Sequence, residues 1–192
     1  FGVTWSTGAV ADGLYDVRAT ATDVGGNTGS DTKTVRVDNT SPASALTAPA
    51  AGATVGGPSV AIAASASDAG AGVSGLTFGY RAAGSSDPWT DVAADSSAPY
   101  GTTWNTTGLA SGDYELRTLA ADAAGNSAPS AVRVVTVDST APTGAFFGLG
   151  STLSGTATLQ VTTAGGPTRV AYEARGSDGV WSQVLDFSSM LG

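Results

Sequence analysis

The chain has 192 residues and a net charge of −8, with no histidine and no cysteine. The missing residue types exclude Ser-His-Asp and Cys-His catalysis as well as the common zinc sites, and indicate that the chain is not an enzyme. Its eight lysines and arginines are scattered, and no apolar run approaches the roughly 20 residues of a membrane span, so neither nucleic acid binding nor membrane insertion is expected.

The first segment of the chain, residues 1–40, recurs about one hundred residues later. Residues 1–27 align without a gap with residues 100–126, and identical residues are spread along the whole alignment. These pairs include Trp5/Trp104, Gly13/Gly112, Tyr15/Tyr114, Arg18/Arg117, Asp23/Asp122, Gly26/Gly125 and Asn27/Asn126. After a one-residue insertion, Val37-Asp38 meets Val137-Asp138. Self-similarity at a fixed period indicates tandem domains.

Residues 43–140 make up one whole repeat, with seven strand signals separated by turn residues and no helical period. The predicted strands are SALTAP (44–49), SVAIAASAS (59–67), GLTFGYRAA (75–83), WTDVAA (89–94), YGTTWNTT (100–107), GDYELRTLAA (112–121) and AVRVVTVD (131–138). Seven short alternating strands in about a hundred residues predict an all-β fold, a sandwich of the immunoglobulin type.

Alternation within these strands predicts which side chains share a face. The predicted sets are Val60, Ile62, Ala64 and Ala66; Leu76, Phe78 and Tyr80; Tyr114, Leu116 and Thr118; and Val132, Val134 and Thr136. Trp104 is the predicted large aromatic of the core. Tyr114 follows a glycine-containing turn at the start of the sixth strand, where a tyrosine corner is expected.

The last segment repeats the first half of the period. TRVAYEARGSDGVWSQV (168–184) resembles LTFGYRAAGSSDPWTDV (76–92), with Tyr172 on Tyr80 and Trp181 on Trp89. The chain is therefore predicted to contain the C-terminal half of one domain (1–40), a complete domain (43–140) and the N-terminal half of a further domain (143–192).

The run SAPYGTTWNTTGLASGDYELRTLAADAAGNSAPSAVRVVTVDSTAP, with LTAPAAGATV and ASASDAGAGV before it, resembles the tandem bacterial Ig-like repeats of large secreted or surface proteins. The resemblance implies tandem Ig-like sandwiches without disulfides and a bacterial extracellular or cell-surface location. It also implies a role as a stalk, spacer or adhesive module. The linkers DNTSP and DSTAP are short and contain proline, so we expect them to be semi-rigid.

Oxygen-bearing side chains fall in three segments that this fold gathers at one end. Asp38 and Asn39 lie in the linker, Asp68 opens the SDAGAGV loop, and Asp122 and Asn126 bracket the DAAGN turn. Carboxylate and amide oxygens from several segments are ligands that Ca²⁺ prefers, so a calcium site is one hypothesis. No other cofactor is expected.

A structural interpretation of the same residues stays open beside the calcium site. Asp68 and Asp122 would then accept hydrogen bonds from their own turns, as aspartates in Asx turns do. The TTAGGPT loop (162–168), which belongs to the following junction, contains no aspartate and favours this second interpretation.

Trp89 and Trp181 recur at the start of a short strand, and Phe146-Phe147 is specific to the last segment. Exposed aromatic rings can stack on sugars, so a carbohydrate-binding accessory module is one alternative function. The other interpretation is that each tryptophan covers its own hairpin. Recurrence favours this role, because a side chain needed by the fold must repeat.

Three functions follow from these patterns. The first is a non-catalytic spacer or adhesive segment whose partners are neighbouring repeats or cell-surface proteins. The second is a glycan-binding accessory module. The third is a filament subunit, in which the half-domains of identical subunits complete one another head to tail by strand complementation.

Overall fold

The computed structural model describes residues 2–153, 158–165, 167 and 169–187. These residues fall into two compact units, Phe1–Ser139 and Thr140–Gly192. The strands are β1 (Gly13–Thr22), β2 (Thr28–Val37), β3 (Ala43–Ala48), β4 (Thr54–Val55), β5 (Val60–Ser67), β6 (Val73–Ala82), β7 (Thr90–Asp95), β8 (Tyr100–Trp104), β9 (Gly112–Asp122), β10 (Ser127–Pro129), β11 (Arg133–Val137), β12 (Thr143–Phe146), β13 (Val161–Ala164), β14 (Val170–Arg175) and β15 (Trp181–Phe187). The described part of the chain has no helix, and hence none able to span a bilayer.

Strands β3 to β11 form one complete sandwich. One sheet has the order β4-β11-β9-β6-β7, with β10 also paired to β9, and the other has the order β3-β5-β8. The all-β, immunoglobulin-like fold predicted from the sequence is confirmed. Each of the seven predicted strands is present. The pattern missed β4 and β10, which are two and three residues long and too short for alternation to reveal.

The core of this sandwich is built around Trp104, as predicted. Its ring lies 5.0 Å from that of Tyr80 and 5.9 Å from that of Tyr114. Small residues fill much of the remaining space, including Ala64 and Ala120. The Tyr114 hydroxyl donates to the carbonyl oxygen of Ala110 at 3.2 Å, which is the predicted tyrosine corner.

In the last strand of this sandwich, the side chains predicted to share a face, Val132, Val134 and Thr136, lie on the outer side of the sheet. Val132 and Val134 are exposed, whereas Val135 and Val137 are fully buried. The reason is Arg133, which stands opposite Leu116 on the inner side of the sheet. At this rim position it reaches the other sheet, where its guanidinium donates to the carbonyls of Leu46 and Pro49 at 2.5 and 2.6 Å. Because Arg133 faces inward, the apolar side chains of Val132 and Val134 lie on the outer face of the sheet.

The N-terminal hairpin β1–β2 shares the Trp–Tyr contact and the tyrosine corner of the complete sandwich, but its inner face is exposed. Trp5 packs against Tyr15 with ring centroids 5.8 Å apart, and the Tyr15 hydroxyl donates to Ala11 O at 2.8 Å. Trp5 is 46% exposed and Val17 44%, whereas their repeat counterparts Trp104 and Leu116 are each 1% exposed.

The second unit contains two hairpins, β12–β13 and β14–β15. A cavity of about 330 Å³ lies between residues of both hairpins, including Phe146, Val161, Val170 and Tyr172. Phe146 and Tyr172 are ring neighbours at 6.2 Å. These strands correspond to β3, β5, β6 and β7 of the complete sandwich.

We expect Trp104→Ala to destabilise the sandwich by about 3–5 kcal/mol, because it removes the largest side chain of a core otherwise rich in small residues. Trp104→Phe should cost only about 1–2 kcal/mol, since the buried indole N–H has no hydrogen-bond partner among the described residues. Urea denaturation followed by circular dichroism measures both. Equal losses in the two variants would show that the indole nitrogen contributes after all.

Candidate metal-binding junction

Three aspartates meet where the N-terminal hairpin joins the complete sandwich. Asp38 follows the last residue of β2, Asp68 follows the last residue of β5, and Asp122 ends β9. One carboxylate oxygen from each lies within 4.8 Å of the others. The fold thus brings together the three aspartates of the calcium hypothesis, from segments that are far apart in sequence.

Asp122 is held by its own turn. Its Oδ1 accepts the backbone N–H groups of Ala124 and Asn126 at 2.9 and 2.8 Å, and its Oδ2 accepts the Asn126 amide at 2.8 Å. Burial disfavours the charged form, but the hydrogen bonds from Asn126, Gly125 and Ala124 outweigh it and hold the pKa of Asp122 below its ordinary value. The carboxylate is therefore ionised at neutral pH.

Only one of the two carboxylate oxygens of Asp68 accepts hydrogen bonds from the described residues. Its Oδ2 accepts the backbone N–H groups of Gly70 and Gly72 at 2.9 and 2.7 Å. Its Oδ1 is buried and has no hydrogen-bond partner among the described residues. A buried carboxylate oxygen without a donor is costly, and a bound cation is one way to satisfy it.

Asp38 connects the linker to the loop after β5. Its Oδ1 accepts the N–H of Thr40 at 3.1 Å and its Oδ2 accepts the N–H of Ala71 at 2.5 Å. Gly70 makes this approach possible, because a Cβ at that position would lie 2.2 Å from the Asp38 carboxylate. Glycine is therefore required here by close packing.

The two asparagines of the calcium hypothesis are placed differently. Asn126 is at the cluster, but its Nδ2 donates to Asp122 and to the carbonyl of Asp38 at 3.0 Å, so the amide nitrogen faces these acceptors. Asn39 faces the segment that precedes β1 instead, where its Nδ2 donates to the carbonyls of Thr7 and Val10 at 3.1 and 2.9 Å. The adjacent positions of Asp38 and Asn39 in the sequence do not indicate that their side chains bind different parts of the structure.

The electrostatics of the cluster favour a cation. The donors that contact the three carboxylates are backbone N–H groups and the Asn126 amide, none of which carries a positive charge. Oxygens bound to one Ca²⁺ lie up to about 5 Å apart, since each bond is about 2.4 Å long. The separation of the three carboxylates matches this limit, and further ligands would have to be carbonyl oxygens or water.

The N-terminal hairpin contains a natural comparison for this cluster. Asp23 accepts the N–H groups of Gly25 and Asn27 at 2.9 and 2.8 Å, and the Asn27 amide at 2.8 Å. The Asn27 side chain and backbone hold the pKa of Asp23 below its ordinary value. The turn is thus the same as that of Asp122, but Asp23 belongs to no described cluster of three acidic groups.

Each of the two recurrent tryptophans has at least one arginine side chain over its ring. Trp89 is half-buried, with the guanidinium groups of Arg81 and Arg117 at 4.6 and 4.2 Å from its ring, and it lies against Gly79. Trp181 has Arg175 at 4.9 Å and is 59% exposed. The packing of Trp89 favours the interpretation that this ring covers its own hairpin.

A comparison with protein families identifies the type of the central domain. Residues 42–117 match the family model of the bacterial Ig domain, which confirms the predicted resemblance for this segment. No curated protein matches the chain.

Two solved structures are similar to parts of the chain. The first is that of fibronectin(III)-like modules of CbhA from Clostridium thermocellum, with 25% identity over 67% of this chain and 63% of that one, and a TM-score of 0.42. The second is an engineered protein, with 22% identity over 50% of this chain and 20% of that one, and a TM-score of 0.38. The chain therefore spans less than two thirds of either structure.

We expect the hydrogen bonds of Asp122 to make the sandwich acid-sensitive. Because the pKa in the folded state lies below the ordinary 3.8, the folded chain binds fewer protons here than the unfolded chain. The resulting stability is fully present above about pH 4 and is lost as the pH falls through the lowered pKa. Asp122→Asn should be less stable than the parent at neutral pH and should lose less stability on acidification.

Urea midpoints measured with a chelator at about pH 7 and about pH 3 test this expectation. Asp31→Asn, which changes an exposed carboxylate of β2, serves as the control. An acid-induced loss in Asp122→Asn as large as that of the parent would contradict it.

Proposed function

We propose that this chain is a non-catalytic segment of tandem Ig-like domains that acts as an extracellular spacer in a bacterial surface or secreted protein. Bacterial Ig domains typically occur in such proteins and are generally non-catalytic modules, and residues 42–117 match their family model. A spacer must transmit orientation from one domain to the next. The observation that carries the proposal is therefore the way in which the linker is held.

Consecutive linker residues bind opposite sides of the junction. Asp38 bonds the sandwich through the N–H of Ala71, and its carbonyl accepts the Asn126 amide. The next residue, Asn39, bonds the segment just before β1: its side chain donates to the carbonyls of Thr7 and Val10, and its N–H donates to Asp12 at 2.7 Å. A linker held on both sides restricts bending, which supports a semi-rigid connection.

The absence of cysteine from the sequence permits a direct test with paired spin labels. Labels at Val24→Cys in the hairpin turn and Asp87→Cys in the sandwich should give a narrow distance distribution by pulsed electron resonance. Asp38→Ala should broaden it, because the linker then loses its carboxylate bond to the sandwich. Asp113→Ala, which removes an exposed aspartate away from the junction, serves as the control. A broad distribution with Asp38 intact would contradict the proposal.

A second proposal concerns the same junction: Asp38, Asp68 and Asp122 bind Ca²⁺ and stiffen it. The unpartnered, buried Oδ1 of Asp68 is the specific observation in its favour. Extracellular calcium modules bind with dissociation constants of about 10⁻⁴ to 10⁻³ M, so a three-carboxylate site suits that environment.

Calcium should stabilise the protein by about 1.4 kcal/mol at a free concentration ten times the dissociation constant. Asp68→Asn should abolish this effect, because it removes a ligand charge from the cluster. Asp23→Asn alters the matching turn that has no cluster and should leave the calcium effect unchanged. Thermal unfolding of the parent, Asp68→Asn and Asp23→Asn, with and without millimolar Ca²⁺, measures this stabilisation. Equal calcium effects in Asp68→Asn and the parent would refute the site.

A further inference from the structure

One carboxylate ties the segment that precedes β1 to the linker. Asp12 accepts the N–H of Asn39 at 2.7 Å through Oδ1 and the hydroxyl of Thr40 at 2.5 Å through Oδ2. The bonded residues are 27 and 28 positions apart in the sequence, so both bonds exist only while the linker lies against this segment. The surroundings of the Asp12 carboxyl group therefore depend on whether the linker is bound.

The repeat contains the same tie with a different side chain. Ser111 occupies the position of Asp12, and its Oγ accepts the N–H of Ser139 at 3.0 Å. Ser139 in turn occupies the position of Asn39. Either side chain thus accepts the same linker N–H, so the tie does not itself require aspartate. Aspartate adds a carboxyl group, and with it a reaction that serine cannot undergo.

The residue after Asp12 is Gly13, and an Asp-Gly pair favours an internal cyclisation. The backbone nitrogen of Gly13 forms a bond to Cγ of Asp12, the C–OH bond of the carboxyl group breaks, and one water leaves with the proton of the nitrogen. The product is a five-membered succinimide ring. Glycine hinders this attack least, because it has no Cβ beside the nitrogen. Asp12 lies before the first residue of β1, so strand pairing does not fix its own backbone angles.

Hydrolysis of the ring leads to two products. Water added at Cγ restores aspartate, whereas water added at the main-chain carbonyl carbon gives isoaspartate, in which the main chain runs through Cγ. The carboxylate of isoaspartate is attached directly to Cα, and the main chain is longer by one carbon. We expect that this shorter side chain no longer reaches both Asn39 and Thr40, so the linker loses its tie.

The bound linker slows the first step of this reaction. Cyclisation needs the protonated carboxyl group, since an ionised carboxylate has no good leaving group, and it needs Cγ to turn toward the nitrogen of Gly13. The hydrogen bonds from the Thr40 hydroxyl and the Asn39 N–H hold the carboxylate in place and keep the pKa of Asp12 below its ordinary value. Both effects protect Asp12 for as long as the linker stays bound.

We propose, on the basis of the held linker of the spacer proposal, that Asp12 is a site of spontaneous isomerisation controlled by the linker. While the linker is bound, the residue stays aspartate. When the linker detaches, Asp12 cyclises, and the isoaspartate that forms prevents the linker from binding there again. The modification thus makes a reversible opening of the joint permanent.

A second Asp-Gly pair provides a reference for the rate. Asp178 precedes Gly179, and its Oδ1 accepts the N–H of Val180 at 3.1 Å, a bond within the same turn. Among the described residues, no segment distant in sequence donates to this carboxylate. Asp178 should therefore isomerise faster than Asp12 in the folded protein.

Incubation of the 192-residue polypeptide in water enriched in oxygen-18 measures both reactions, because each hydrolysis of the ring leaves one heavy oxygen in the residue. Proteolytic digestion and mass spectrometry locate the label, and electron-transfer fragmentation distinguishes isoaspartate from aspartate. The label should accumulate about tenfold or more slowly at Asp12 than at Asp178, since two charge-assisted hydrogen bonds must open first. Equal rates in the parent would overturn the isomerisation proposal.

Thr40→Val removes the hydroxyl that donates to Asp12 and should speed the labelling of Asp12 about threefold or more, with no change at Asp178. Thr34→Val is the matched control, since the Thr34 hydroxyl donates to another carboxylate, that of Asp16, at 2.6 Å. It should leave both rates unchanged. Equal labelling of Asp12 in the parent and in Thr40→Val, or no label there in either protein, would overturn the isomerisation proposal.

The effect on the joint is measured with the spin labels at positions 24 and 87. The distance distribution should broaden as isoaspartate accumulates at Asp12, whereas Asp12→Ser, which cannot form the ring, should keep its distribution during the same incubation. Equal broadening in Asp12→Ser would overturn the isomerisation proposal. A distribution that stays narrow without any label at Asp12 would overturn it as well, and would leave the spacer proposal intact.

Discussion

The packing of Trp104 between Tyr80 and Tyr114 is the interaction on which the rest of the structure depends. It joins β8 in one sheet to β6 and β9 in the other, in a core that is otherwise filled largely by valine, alanine and leucine. The corner hydrogen bond of Tyr114 then fixes the start of β9. Because Asp68 and Asp122 follow strands of this sandwich, the geometry of the junction rests on the same cluster.

The fold could be predicted from the sequence because the chain repeats itself and its strands alternate. Trp104 and Tyr114 were recognisable, since a large aromatic and a glycine-preceded tyrosine have few other uses in a sandwich. The set Val132, Val134 and Thr136, predicted to share a face, lies on the outer side, because Arg133 occupies an inner position. An arginine can do this only where the carbonyls of a facing sheet lie within its reach, and a linear pattern contains no information on that distance.

The candidate site could be predicted only in part. Sandwich topology brings the ends of β2, β5 and β9 together, so the meeting of three aspartates followed from the order of the strands. The direction of each side chain did not, since Asp38 and Asn39 are adjacent and bind opposite sides of the junction. The buried oxygen of Asp68 and the two arginines over Trp89 depend on tertiary contacts between segments that are distant in sequence.

The sharing of the junction between two domains has a consequence for how such an array can evolve. Asp38 lies at the end of the predicted half-domain 1–40, whereas Asp68, Gly70 and Asp122 lie in the predicted domain 43–140. A recombination event that exchanges a single domain therefore inherits one half of each of two joints. If the linker stiffens the joint as we propose, stiffness is a property of each pair of neighbouring domains, and the order of the domains in an array sets which joints are stiff.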